Sequence, residues 1–185
     1  MIILTDVIFI FLLSFFLAIL LSNKYPPRKT FLVLFASIFL HEFAHKAVAS
    51  YFGYVSMIKA EISLTYLIMT IVMYIFTGLL VPPPVYTLIF AKITPHGLSY
   101  YIMEYITPQN ALPIALIAIA GPIINLILAI VAHLILSLKL YDTEFEKELF
   151  ILMRNFNIML FVINAFPIIP GNDGSIFLEA IKKVI

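Results

Sequence analysis

The 185-residue sequence contains no cysteine and no tryptophan, and only 11% of its residues are charged. Without cysteine, disulfide bonds, thiolate metal ligands and a cysteine nucleophile are excluded, so any metal site must use histidine and carboxylate side chains. The net charge is +1 and no long basic run is present. We therefore expect no nucleic-acid partner.

Hydrophobic residues instead dominate the chain, at 63% of the sequence with a mean hydropathy of +1.11. Soluble domains are only about 45–50% apolar and carry about 25% charged residues. No polar stretch is long enough to fold as a separate soluble domain. The composition predicts an all-α polytopic protein of the cell membrane, with the lipid bilayer as its surroundings.

Five hydrophobic segments approach the length of about 20 residues that a membrane-spanning helix needs. They cover residues 2–21, 31–52, 62–81, 111–138 and 149–166. Residues 1–30 form an N-terminal helix with a basic linker, and residues 31–185 form the membrane-embedded core. Residues 55–61 and the β-branched residues 85–93 read as extended chain, residues 94–110 as irregular, and residues 175–185 as a short C-terminal helix.

The path of residues 62–93 has two interpretations. If all five segments cross the membrane once, one side carries six of the basic residues, and the positive-inside rule makes that side cytoplasmic. This set comprises Lys24, Arg28, Lys29, Lys92, Lys182 and Lys183, with Lys59, Lys139 and Lys147 on the opposite side. Alternatively, residues 62–93, including the strand-like part at 82–93, enter and leave the membrane on one side.

The sequence His41-Glu42-Phe43-Ala44-His45 lies inside the second hydrophobic segment. A charge at the bilayer centre costs about 2.5–3.5 kcal/mol on insertion scales, so such residues are candidates for function. The i, i+4 spacing places both imidazoles on one helical face, close enough to bind one cation. Glu42 points about 100° away, where a general base for an activated water would stand. The alternative is a chance match in a chain of biased composition.

A catalytic zinc site usually has three protein ligands, so a third one must come from elsewhere in the chain. The carboxylates and histidines near apolar segments are Glu61, His96, Glu104, His133 and Asp173. His133 stands alone on an apolar segment and reads as a packed or interface histidine. Asp173 follows a proline-rich bend at the membrane edge, which favours it, whereas the neighbouring Asn172 offers only a neutral amide.

A third polar motif, Ala120-Gly121-Pro122-x-x-Asn125, lies inside the fourth hydrophobic segment. Glycine allows close approach of helices, and proline leaves a carbonyl without its helical partner. Taken alone, the motif is typical of a packing kink with an interhelical hydrogen bond from Asn125.

Together these motifs resemble those of the site-2 protease family of intramembrane zinc metalloproteases. Besides the two motifs above, Asn164-x-x-Pro167-x-x-Pro170 followed by Asp173-Gly174 matches in order and placement. The resemblance implies one zinc ion bound by His41, His45 and Asp173. It also implies that Glu42 activates water, that Asn125 and Asn164 position substrate or the oxyanion, and that the helices with residues 41–45 and 121–122 run antiparallel.

The sequence departs from the family pattern at two places. One extra residue precedes Asp173, and the region after His45 contains no Gly-Gly pair. The expected function is hydrolysis of peptide bonds within or next to transmembrane segments of membrane-protein substrates. The alternative is a non-hydrolytic membrane protein, either a metal-binding transporter or an inactive protease homologue that binds membrane substrates. The oligomeric state does not follow from the sequence.

Overall fold

The computed structural model describes residues 4–60, 85–94, 97–100, 106–167 and 171–185. The helices in these ranges are α1 (Leu4–Leu20), α2 (Pro27–Tyr51), α3 (Ala111–Ser137), α4 (Glu144–Ala165) and α5 (Asp173–Val184). The strands are β1 (Tyr54–Ala60), β2 (Val85–Thr94) and β3 (Gly97–Tyr100). The proposed third span, 62–81, and the three prolines after it lie outside the described residues.

Three helices, α2, α3 and α4, are long and apolar enough to cross a membrane, and α1 is a shorter apolar helix. Leucine, isoleucine and phenylalanine side chains cover their outer faces, whereas the inner face of α3 is lined by Ala115, Ala118, Ala129 and Ala132. Small residues at helix contacts and large apolar residues outside are the pattern expected for packing in lipid. The prediction of an all-α membrane protein is confirmed.

Contacts along the helices show their relative directions. Near the start of α2, Lys29 pairs with Glu148 near the start of α4, and further along Asn157 donates to Ser37, so α2 and α4 are parallel. On α3 the order is reversed, because His41 contacts Asn125 and His45 contacts Ile117. The antiparallel arrangement of α2 and α3 that the resemblance implies is therefore what the structure has.

This arrangement changes the predicted topology. Because α2 and α3 are antiparallel, Tyr51 at the end of α2 and Ala111 at the start of α3 lie at the same end of the bundle. Five single crossings would require these helices to be parallel, so the five-crossing interpretation does not agree with the described helices. Lys139 and Lys147 consequently lie at the same end as Lys29, whereas α5 carries the last lysines toward the other end, where Ala180 packs against Ile114.

A three-stranded antiparallel sheet follows α2, in the order β1-β2-β3. Gly53, with φ of 76°, makes the turn from α2 into β1, and β1 then pairs with β2 from Tyr54↔Lys92 to Ala60↔Val85. Both strands agree with the predicted extended segments. The third strand, β3, was missed, because its four residues lie in the polar stretch interpreted as irregular.

Helix α5 begins at Asp173, two residues before the predicted start, because Asn172 caps it. The Asn172 Oδ1 atom accepts from the backbone N–H of Ser175, at 2.9 Å. Its Nδ2 atom donates to the carbonyls of Ile163 and Phe166 at the end of α4, each at 2.7 Å. One side chain thus starts α5 and attaches it to the end of α4.

Candidate metal centre

Two imidazoles of α2 and the first carboxylate of α5 converge at one point. The Nε2 atoms of His41 and His45 are 3.0 Å apart, and Asp173 Oδ2 lies 3.2 Å from the first and 3.4 Å from the second. Both histidines are buried and Asp173 is partly buried. The three residues predicted as ligands therefore form one group that can hold a metal ion.

The outer nitrogen of each imidazole is held by α3. His45 Nδ1 lies 2.6 Å from the carbonyl oxygen of Ile117, which can only accept a hydrogen bond, so this nitrogen carries the proton. His41 Nδ1 donates in the same way to Asn125 Oδ1, at 2.6 Å. Each ring is therefore in the tautomer that leaves Nε2 with a free lone pair facing the centre.

When both imidazoles are neutral, three atoms that can coordinate a cation thus face one another without a donor between them. With Zn–N bonds of about 2.0–2.1 Å in a tetrahedron, neighbouring ligand atoms are about 3.3 Å apart. The separations of 3.0, 3.2 and 3.4 Å lie around this value. The donor set and its spacing fit a divalent metal with one coordination position left open.

Gly121 makes this close approach of α3 to α2 possible. A Cβ atom at this position would lie 2.3 Å from His45 Nε2 and 2.6 Å from His41 Nε2, closer than real Cβ contacts. The motif around Gly121 therefore leaves space for the imidazoles and, through Asn125, orients one of them. The interhelical hydrogen bond from Asn125 that the motif suggested is present: its amide nitrogen donates to Asn157 Oδ1, and its oxygen faces His41 Nδ1.

The bend before α5 directs Asp173 back toward α2. Gly171 has φ of 85°, a conformation that favours glycine. Gly174 lies against the end of α4, where a Cβ atom would meet the Ala165 carbonyl oxygen at 2.2 Å. Burial would raise the pKa of the Asp173 carboxyl, but attraction to His45 and contacts with both imidazoles lower that pKa below its ordinary value.

Glu42 lies beside the centre and is only 2% exposed. Its charge is near enough to interact with that of His45. Among the residues that the structure describes, it is not a member of the group that can hold a metal. This position agrees with the expected place of a general base next to the ligands.

The other candidates have different surroundings. His133 is exposed and its Nε2 lies 3.5 Å from Ser137 Oγ on α3, outside the ligand group. Asn164 is half-buried near the end of α4, and Asn125 contacts His41 and Asn157, so a role of either in binding substrate stays a prediction. Glu61, His96 and Glu104 lie outside the described residues.

Sequence reasoning missed two buried polar features near the site. Asn157 and Ser37 extend the hydrogen bonds of Asn125 away from the imidazoles, and Lys46 pairs with Asp6 of α1. Both Lys46 and Asp6 are at least 95% buried. A charged side chain inside an apolar helix is energetically costly, and this cost marks both residues in the sequence. The sequence does not show, however, that these residues of two different helices pair with each other.

Comparison of the chain with family models, with curated proteins and with solved structures finds no match.

Proposed function

We propose that the protein is an intramembrane zinc metalloprotease of the site-2 protease type in the cell membrane. It hydrolyses peptide bonds within or next to transmembrane segments of its protein substrates. The observation that carries the proposal is the convergence of His41 and His45, on a helix that is apolar enough to cross a membrane, with Asp173 of α5 and with a buried glutamate beside them.

The residues of the centre have different roles in hydrolysis. Zinc held by the three ligands would lower the pKa of a water ligand to near 7 and polarise the scissile carbonyl. Glu42 takes the proton from the attacking water and passes it to the leaving amine nitrogen. Ile117 and Asn125 keep the two imidazoles oriented during the reaction.

The depth of the centre suggests where substrates are cut. His45 is six residues before the end of α2 at Tyr51, or about 9 Å along a helix. His41 is 14 residues after the start at Pro27, or about 21 Å from that end. Cleavage therefore falls in the part of a transmembrane substrate that is nearer the membrane face next to the β-sheet.

Two variants test the proposal when cleavage of a transmembrane substrate and zinc content are measured on the same purified samples. Glu42→Gln should abolish cleavage and keep about one zinc per chain, because Glu42 acts as base and not as ligand. Asp173→Ala should lose both zinc and cleavage. His133→Ala is the control, since this exposed histidine should be dispensable for both.

Each outcome has a distinct meaning. Loss of zinc from Glu42→Gln would make Glu42 a ligand. Retention of zinc by Asp173→Ala, with loss from His133→Ala, would indicate a centre of three histidines instead. A wild-type protein that binds zinc and never cleaves would support the alternative of a metal-binding transporter or an inactive homologue.

A further inference from the structure

A chain of amide hydrogen bonds runs from the metal centre into α4. Asn125 Nδ2 donates to Asn157 Oδ1, at 2.8 Å. Asn157 Nδ2 donates in turn to Ser37 Oγ and to the backbone carbonyl of Met153, each at 2.8 Å. The side chains of Ser37, Asn125 and Asn157 are completely buried. Buried amides with every partner inside the protein have only one favourable orientation.

The Met153 carbonyl decides that orientation. A carbonyl can only accept, so the Asn157 atom facing it must be the amide nitrogen, and the Asn157 oxygen must face Asn125. Asn125 must then present its own nitrogen to Asn157 and its oxygen to His41. An oxygen that faces His41 Nδ1 requires a proton on that nitrogen, which leaves Nε2 unprotonated.

We propose that Asn157 is a positioning residue which, through Asn125, holds His41 in the tautomer whose Nε2 can bind a divalent metal. The inference rests on the proposed metal site and adds a residue from α4, which supplies none of the three ligands. His45 needs no such arrangement, because its Nδ1 donates directly to the Ile117 carbonyl. Of the two imidazoles, only His41 has a tautomer that depends on a side-chain amide, which can rotate by half a turn and exchange its oxygen and nitrogen.

Removal of Asn157 releases this constraint. With no acceptor for its nitrogen, the Asn125 amide can turn and offer that nitrogen to His41 Nδ1. The imidazole then carries its proton on Nε2, and this form competes with metal binding. Loss of a hydrogen-bond partner that orients a metal-binding histidine typically weakens metal affinity by about 10–100-fold.

The first experiment measures zinc affinity of the purified full-length protein by competition with a chromophoric chelator. Asn157→Leu keeps the branched shape and the number of side-chain heavy atoms and has no polar atom, so zinc affinity should fall by about 10–100-fold. Asn157→Asp is the matched control, because a buried neutral carboxyl can donate its O–H to the Met153 carbonyl while its other oxygen still accepts from Asn125 Nδ2. Its zinc affinity should stay close to the wild-type value.

A second substitution separates orientation from general destabilisation. In an Asn157→Leu protein, Asn125→Asp places a carboxylate against His41 Nδ1, and an ionised carboxylate only accepts. It should therefore restore zinc affinity although Asn157 is still absent. A purely structural role for Asn157 predicts no restoration.

The results have clear consequences. Equal zinc affinity of wild type and Asn157→Leu, or an equal loss in Asn157→Leu and Asn157→Asp, would overturn the inference. If Asn157→Leu does not fold, nitrogen NMR of the metal-free wild type decides, with His41→Gln for assignment: protonation at His41 Nδ1 supports the inference, and protonation at Nε2 overturns it. A wild type that binds no zinc would instead overturn the proposed function, and the NMR result would still test the tautomer.

Discussion

Among single residues, Gly121 determines how closely α3 approaches the two imidazoles. We expect Gly121→Ala to weaken zinc binding by about 5- to 140-fold, since overpacking of this kind typically costs about 1–3 kcal/mol and 1.4 kcal/mol is a factor of ten. The measurement is a zinc titration of the purified variant. Ala132→Gly, three turns further along the same helix, is the control and should change stability without changing zinc affinity. Unchanged zinc affinity in Gly121→Ala would contradict the close approach.

Asn172 acts on the centre through the backbone. The sequence indicated that Asn172→Ala would keep most zinc and activity, because an amide is a poor ligand. The structure leads us to expect a loss, since the substitution removes the α5 cap and both hydrogen bonds to the end of α4. Loss of an N-cap costs about 1 kcal/mol, so zinc affinity should fall by about fivefold. Asn155→Ala, at an exposed position of α4, should bind zinc like the wild type. A match between the two variants would contradict this role.

The sequence predicts the ligands of the centre better than their supports. The ligands His41, His45 and Asp173 belong to short sequence motifs, and the chemistry of these motifs can be recognised from the sequence alone. Asn157 belongs to no such pattern, because its partners come from two other helices and are selected by packing. The steric role of Gly121 is likewise visible only once α2 and α3 are placed against each other.

Among the helices, α1 and α2 are joined by a buried ion pair. Asp6 and Lys46 are both at least 95% buried, next to a cluster that includes Ile10, Leu17 and Leu34. Removing one member of such a pair leaves the other charged and uncompensated, at a cost of about 3–5 kcal/mol.

We therefore expect Asp6→Leu to lower the thermal unfolding temperature in detergent markedly. The double variant Asp6→Leu with Lys46→Met should recover most of the loss, because neither charge then remains in the apolar contact. A double variant no more stable than Asp6→Leu would show that the uncompensated Lys46 charge is not the cause of the loss.

Hydropathy and length predict the helices because a helix that crosses a lipid bilayer must be both apolar and long enough to span it. The predicted segment at 111–138 overlaps α3 almost completely, whereas α4 begins five residues before its predicted segment, at Glu144, and α2 begins four residues before its own, at Pro27. Its first turn is basic, and Arg28 and Lys29 lie over the Phe145 ring of α4. Strand β3 could not be predicted, because it has only four residues and pairs only with the end of β2. So few residues do not make a recognisable strand pattern in the sequence.

For the whole molecule, the membrane topology is directly testable because the natural sequence has no cysteine. Single cysteines at Asn23, Ser50, Leu140 and Lys182 provide four exposed reporters. In sealed vesicles, an impermeant maleimide should label Asn23→Cys and Leu140→Cys from one side and Ser50→Cys and Lys182→Cys from the other. The five-crossing arrangement instead pairs Asn23 with Lys182, so that result would contradict the antiparallel packing of α2 and α3.

The composition predicts a membrane protein, but the direction of each helix does not follow from composition. Direction depends on whether residues 62–93 cross the membrane an odd or an even number of times, and their hydropathy allows both. The contacts of His41 with Asn125 and of His45 with Ile117 make α2 and α3 antiparallel, and an even number agrees with this packing.

Hydrolysis that depends on one zinc ion is most directly tested by removing and restoring the metal. The purified protein, reconstituted in lipid with a transmembrane substrate, is freed of metal by a chelator and then titrated with zinc while cleavage is followed. We expect cleavage to stop without metal and to return in full at about one zinc per chain, as the three-ligand centre requires. Cleavage that continues without zinc, or that fails to return when one zinc per chain is bound, would contradict the proposed activity.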